Sequence, residues 1–183
     1  MSALERNPVN TNYLQPTKYL LTFDRMPTVQ YFCQSVNIPG LSIGQAIINT
    51  PGLDIYAPGN KIAYNNFNVT FAVDESLKSW QEIYNWFRSF AAPEGTEERN
   101  RLSTMQTVGV GKQNVSKKPW YSDATLTILT NLNNPAVRVN FINIFPVSLS
   151  YLQLDTKMSA DDIITADANF VYERYEIVPL TNT

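Results

Sequence analysis

The sequence predicts a mainly β fold: a β-sandwich or partly open barrel of about nine strands, with one flanking amphipathic helix and a long hairpin used in assembly. Three observations predict it. Apolar and polar residues alternate with a period of two in Phe67–Val73, Val137–Phe141 and Ala168–Tyr172, as expected of strands with one buried face. One segment, Leu77–Phe90, changes to a helical rhythm. Between Leu41 and Asn60 the chain runs LSIGQAIINTPGLDIYAPGN, in which Pro51–Gly52 signals a central turn and Asp54 is the one charge.

Taken in order, residues 1–16 are rich in Asn, Pro and Thr without periodicity and read as an extended N-terminal arm, leaving 17–183 as one β domain. Strands are predicted at Thr17–Arg25 and Val29–Ile38, joined by a turn at Met26–Pro27 and stopped by Pro39–Gly40, so that the two look like a meander. The hairpin of 41–57 follows, then the half-buried strand from Phe67. Asp74 or Ser76 can cap the helix through a side-chain oxygen. Leu77, Trp80, Ile83, Tyr84, Phe87 and Phe90 form its apolar stripe, and a helix so patterned must lie on a core. Residues 91–121 lose all periodicity, and a loop this long is functional or ordered by a partner. Four more strands are predicted at Asp123–Thr130, Ala136–Ile144, Val147–Asp155 and Ile163–Val178.

Composition excludes several kinds of chemistry. The 183 residues contain no histidine, which removes the usual general base at neutral pH, the Ser-His-Asp triad, the Cys-His dyad and imidazole metal ligands. A single cysteine, Cys33, makes neither an internal disulfide nor a thiolate cluster, and its apolar neighbours predict an inert buried thiol. No enzyme activity, cofactor or metal is expected. With no run of about 18 apolar residues and no secretory pattern at the N-terminus, the chain is expected to be soluble and made in the cytosol. A net charge of −2 gives no reason for tight nucleic-acid binding. Gly109 and Gly111 form a lone GxG without the rest of a dinucleotide fingerprint.

The hairpin is the segment most informative about assembly. An uncharged strand pair with apolar side chains on both faces would be an aggregation hazard at a free sheet edge, so something must cover it. It either packs inside its own domain or uses Ile43, Ile47, Ile48, Leu53 and Ile55 against a neighbouring subunit, each copy completing the next until a ring closes. Lys112, Lys117 and Lys118 are a modest basic cluster in the long loop, either a solvated surface or an attraction to an acidic partner.

Three stretches, NFNVTFAVDESLKSWQEIYNWF at 66–87, FPVSLSYLQLD at 145–155 and ITADANFVYERYEI at 164–177, occur in an order and spacing that resemble the tail tube proteins of contractile-tailed bacteriophages, over roughly residues 17–178. The resemblance is one of pattern and topology. It implies a structural virion protein of the tail, made in the bacterial host cytoplasm: six copies form a ring, and rings stack into a tube through which DNA passes during ejection without sequence-specific binding. Relatives with the same fold serve as baseplate initiators and as adapter or terminator rings. The hairpin would then build the wall of the channel. The arm and the loop carrying Lys112, Lys117 and Lys118 would meet adjacent rings, the sheath or baseplate proteins.

Two rival readings come from the residues. A glycan-binding β-sandwich would use Trp80, Trp86 or Trp120 as stacking platforms; Trp80 sits on the apolar stripe, whereas Trp86 falls off it and Trp120 ends the long loop. A carboxylate hydrolase would draw on Asp161, Asp162 and Asp167, although their polar, turn-like setting suits a solvated face.

Overall fold

The computed structural model describes residues 12–91, 93, 95–97, 120–157, 159 and 161–180. Among the described residues, nine strands and two helices run in the order β1 (Tyr19–Phe23), α1 (Pro27–Tyr31), β2 (Cys33–Val36), β3 (Leu41–Thr50), β4 (Leu53–Tyr64), β5 (Phe67–Ala72), α2 (Lys78–Ala91), β6 (Ser122–Leu129), β7 (Pro135–Leu149), β8 (Thr165–Val171) and β9 (Arg174–Pro179). The fold is mainly β with a flanking helix, as predicted.

Seven strands form one antiparallel path, β1-β6-β7-β8-β5-β2, with β9 added beside β7. The path is folded by β7. Its first part pairs with β6 and β9, and from Phe145 onward it pairs with β8. Asn143 sits at the changeover with φ of 56°, a left-handed conformation that asparagine tolerates better than most residues. The Asp123 carboxylate accepts its backbone N–H at 3.3 Å. The ends of the path come back together, because Tyr19 Oη on β1 donates to the Gln34 carbonyl on β2 at 2.6 Å. A partly open barrel results, filled by Leu21, Phe23, Phe67, Val69, Phe71, Leu126, Val139, Phe141 and Phe170, with Trp86 of α2 entering from one side. Phe67 stacks obliquely on Phe141 with ring centroids 4.4 Å apart.

Three predicted boundaries are corrected. Val29–Ile38 is not one strand: Pro27 sits in the first turn of the short helix α1, and β2 starts only at Cys33. Proline is pre-organised for that position, but the helix also needs a cap from elsewhere. Glu82 of α2 supplies it, accepting from Thr28 N (3.1 Å), Thr28 Oγ1 (2.6 Å) and Val29 N (3.4 Å). Nor do β1 and β2 form a meander, since β1 pairs with β6 and β2 with β5. The expected strands Ala136–Ile144 and Val147–Asp155 are the single 15-residue β7, ending at Leu149; Pro146 is accommodated beside a bulge. Conversely Ile163–Val178 divides into β8 and β9, which pair with different parts of β7.

The helix stripe is rotated from the predicted one. Ser79, Ile83, Trp86 and Ser89 are the buried residues of α2, Trp80, Phe87 and Phe90 pack partly against the core, and Leu77 and Tyr84 are exposed. Serines 79 and 89 are small enough to let the helix approach the sheet, so the large Trp86 becomes its deepest side chain. The indole N–H of Trp86 donates to Trp120 O at 3.1 Å, and the Arg25 guanidinium lies 5.5 Å from its ring centroid. Asp74 caps the helix entry, accepting from Ser76 Oγ, from Ser79 N (2.8 Å) and from Ser79 Oγ (2.8 Å). The Ser76 hydroxyl first, then the Ser79 N–H, hold its carboxyl well below the usual carboxylate range.

Candidate assembly surface

The β3–β4 hairpin is a separate two-stranded ribbon, outside the seven-stranded path. It grows out of the β2–β5 pair, and its root is held by side chains from four segments. Asn37 donates through Nδ2 to Asn66 O (3.1 Å) and accepts from Asn68 N (2.6 Å), bridging the two strands where regular pairing lapses. Gly40 O accepts Asn65 N at 3.1 Å. Tyr172 Oη donates to Asn65 O at 2.9 Å and Tyr175 Oη to Pro39 O at 3.3 Å, so both strands of the root are tied to the β8–β9 corner. Tyr64 completes this cluster, its ring centroid 5.6 Å from each of theirs. Burial first, then the neighbouring Tyr175 and Tyr64 hydroxyls, push the Tyr172 phenol up to about 12.

Beyond the root the register is interrupted once, between Ile43 and Gln45. Ile43 faces Ile62 and Gln45 faces Pro58, so one residue of β3 stands opposite three of β4. Gly59 is required there, because a Cβ on it would lie 2.4 Å from the Gly44 carbonyl oxygen. The ribbon then pairs regularly to its tip, where Thr50 faces Leu53 across Pro51–Gly52. Gly52 has φ of 98°, the positive value that a turn with proline before it demands.

Ile43, Ile47, Ile48, Leu53 and Ile55 all lie on this ribbon and are 49–72% exposed. Leu41, Tyr56 and Ile62 are exposed with them, although sequence reasoning had not singled them out. Part of the signal was available: a two-residue turn at Pro51–Gly52 pairs Ile47 with Tyr56 and Ile48 with Ile55, whereas Ile62 meets Ile43 only through the register break at Gly44. The strand pair is therefore uncovered on both faces.

The other predicted positions are scattered. Lys112, Lys117 and Lys118 lie outside the described residues, as do residues 1–11 of the arm. Cys33 is half-buried, and burial pushes its thiol up. Trp86 is core and Trp80 half-buried, its indole N–H on Ser150 O at 3.3 Å, so the tryptophans form no common stacking platform. Trp120 instead lines an aromatic groove of about 490 Å³ with Phe87, Phe90, Tyr121, Phe145, Pro146 and Val147, assembled from three parts of the chain and hence invisible in any one of them. Asp167 accepts from Thr70 Oγ1 at 2.6 Å within the β5–β8 pair, while Asp161 and Asp162 are exposed in a turn. Among the described residues no group of three or more Cys, Asp or Glu is placed to hold a metal ion.

Comparison with known proteins gives the family and the fold. Residues 7–178 match the model of a family described as phage tail tube protein. The tail tube terminator protein of Enterobacteria phage T4 is 27% identical over 173 residues, which cover 91% of this chain and 89% of that protein. Among solved structures, the tube-terminating cap of the anti-feeding prophage matches with a TM-score of 0.56 at 14% identity, covering 97% of this chain and 99% of the other. The sheath/tube terminator of the extracellular contractile injection system PVC matches with a TM-score of 0.53 at 15% identity, covering 92% and 99%. These two share the fold. The match along almost the whole sequence establishes that this chain belongs to the phage tail tube protein family and is a component of the virion tail.

Proposed function

We propose that the chain forms the ring that ends a tail tube, a terminator or adapter, rather than the repeating subunit of the tube body. The observation that carries this reading is a ribbon bare on both faces in a chain related, over nearly its full length, to a tube terminator. In this reading six copies join head to tail through their ribbons and leave a central channel. DNA passes through it unbound, in keeping with a chain whose net charge is −2. Tail tube, sheath and baseplate proteins are its partners, and the role is structural rather than enzymatic. Burying the ribbon's large apolar side chains, at about 25 cal/mol per Å² of apolar surface, gives several kcal/mol per contact before ordering costs.

Electron microscopy of the purified chain tests the proposal. Closed single rings that bind the end of preformed tubes and stop their growth are expected. Long tubes formed by the chain alone would make it a body subunit, and monomers at high concentration would remove the ring altogether.

A further inference from the structure

The seven-stranded path does not close on itself by backbone pairing. β1 pairs with β6 and β2 with β5, and among the described residues no ladder joins β1 to β2. What spans this seam is a side chain, the Tyr19 hydroxyl donating to Gln34 O at 2.6 Å. A cleft of about 380 Å³ opens there, with Thr17, Tyr19, Leu21 and Gln34 in its lining. The seam edge of β1 carries unused backbone groups. Antiparallel strands turn alternate residues toward alternate neighbours. Leu129 N donates to Lys18 O and Asp24 N to Asp123 O, so Lys18, Leu20, Thr22 and Asp24 face β6, and Tyr19, Leu21 and Phe23 face the seam. Gln30 Oε1 accepts the Phe23 N–H at 3.3 Å. The N–H and C=O of Tyr19 and Leu21 are left for an added strand. The Tyr19 ring packs on the core side with Leu21 and Phe23, so it floors the gap instead of filling it. Bridged by one tyrosine and one hydrogen bond, the gap is on the order of two strand spacings, each about 4.8 Å, which is room for one more strand.

We propose that residues 1–11 of this chain close the seam, adding a strand to β1 through backbone bonds to Tyr19 and Leu21. These residues lie outside the described ones, and the course of the chain next to them points to this occupant. Lys18 N donates to Gln15 O at 3.3 Å across Pro16–Thr17, a turn with proline in its second position. The turn sends the preceding chain back along β1. One edge of β1 is held by β6, so the edge that remains is the one on the cleft, where Pro16 and Thr17 are themselves part of the lining. Reach is sufficient, since eleven residues extend to about 36 Å and a strand as long as β1 needs about 17 Å. Residues 3–7 are a proline-free run of the same length as β1, ended by Pro8. Proline lacks the N–H and suits the end of such a strand, not its middle. The seam lies within one protomer, so the proposal does not depend on the ring reading.

Amide hydrogen exchange, read residue by residue, tests this on three samples: the full chain, the chain lacking residues 1–11, and that shortened chain with a synthetic peptide of residues 1–11 added. The Tyr19 and Leu21 amides should be protected in the full chain. Truncation should speed their exchange at least about tenfold, and the peptide should slow it again. Leu20 and Thr22, which face β6, should stay protected in all three samples and so report that the barrel remains folded. Glu5→Pro should behave like the truncation and Glu5→Ala like the parent chain, because the proposed contact is made by backbone groups. Exchange at Tyr19 and Leu21 that is the same with and without residues 1–11 would overturn the proposal. Protection that grows with protein concentration would assign the added strand to another copy and overturn it as well.

Discussion

At the scale of single residues, the side chains with most influence are those that orient other parts. Tyr172 is nearly buried and its hydroxyl holds the root of the ribbon through Asn65 O. Its phenol titrates at about 12, above the ordinary 10.0. The folded state therefore keeps the proton where the unfolded chain would lose it, and the stability this confers is complete below pH 10 and drains away between pH 10 and about 12. Denaturant melts across that window should reveal the loss, and Tyr172→Phe should reduce it, since phenylalanine has nothing to ionise, while Tyr19 and Cys33, both pushed up by burial, keep their share. Trp86 is a second such residue. Trp86→Ala removes the largest fully buried side chain and its hydrogen bond to Trp120 O, and is expected to cost about 3–5 kcal/mol by equilibrium unfolding. Replacing a glycan-contacting tryptophan on a surface would cost far less.

Among the elements, the ribbon and the two helices show how local sequence and distant partners divide the work. The ribbon was legible as a hairpin because its evidence is local, a nearly uncharged apolar run around a Pro–Gly turn, whereas only the structure shows that its own domain leaves it uncovered. Its bend was not, because the clash that excludes a side chain at Gly59 comes from Gly44, fifteen positions away in sequence. Gly59→Val should leave the barrel folded, with an unchanged far-ultraviolet dichroism spectrum of the core, but re-aim the ribbon and abolish ring formation in size-exclusion chromatography. A variant that still forms rings of parental size would show that the bend is incidental. Helix α1 was read as strand because its cap is Glu82, more than fifty residues away. The stripe of α2 was read about one residue out of phase, since periodicity ranks side chains by hydrophobicity and cannot foresee that two serines would be placed against the sheet.

For the whole molecule, the design is a partly open barrel from which one two-stranded ribbon projects. The strands of the barrel pair with one another, α2 packs on β7 and α1 on β1, and the large apolar side chains of the ribbon stand exposed. Contacts made by isoleucine and leucine are not screened by salt, unlike surface ion pairs. Rings should consequently persist when sodium chloride is raised to about 1 M, as followed by analytical ultracentrifugation. Dissociation over that range would assign the interface to charged residues instead.

By itself, the sequence determined that this is a β protein with one covering helix, no histidine chemistry and a long, nearly uncharged hairpin, because period, turn residues and composition are properties of neighbouring positions. Tertiary structure alone decided that β7 serves two parts of the barrel, that Trp86 is core, and that the ribbon stands outside the seven-stranded sheet. Those outcomes depend on which distant groups meet, and no window of sequence contains both partners of a long-range contact.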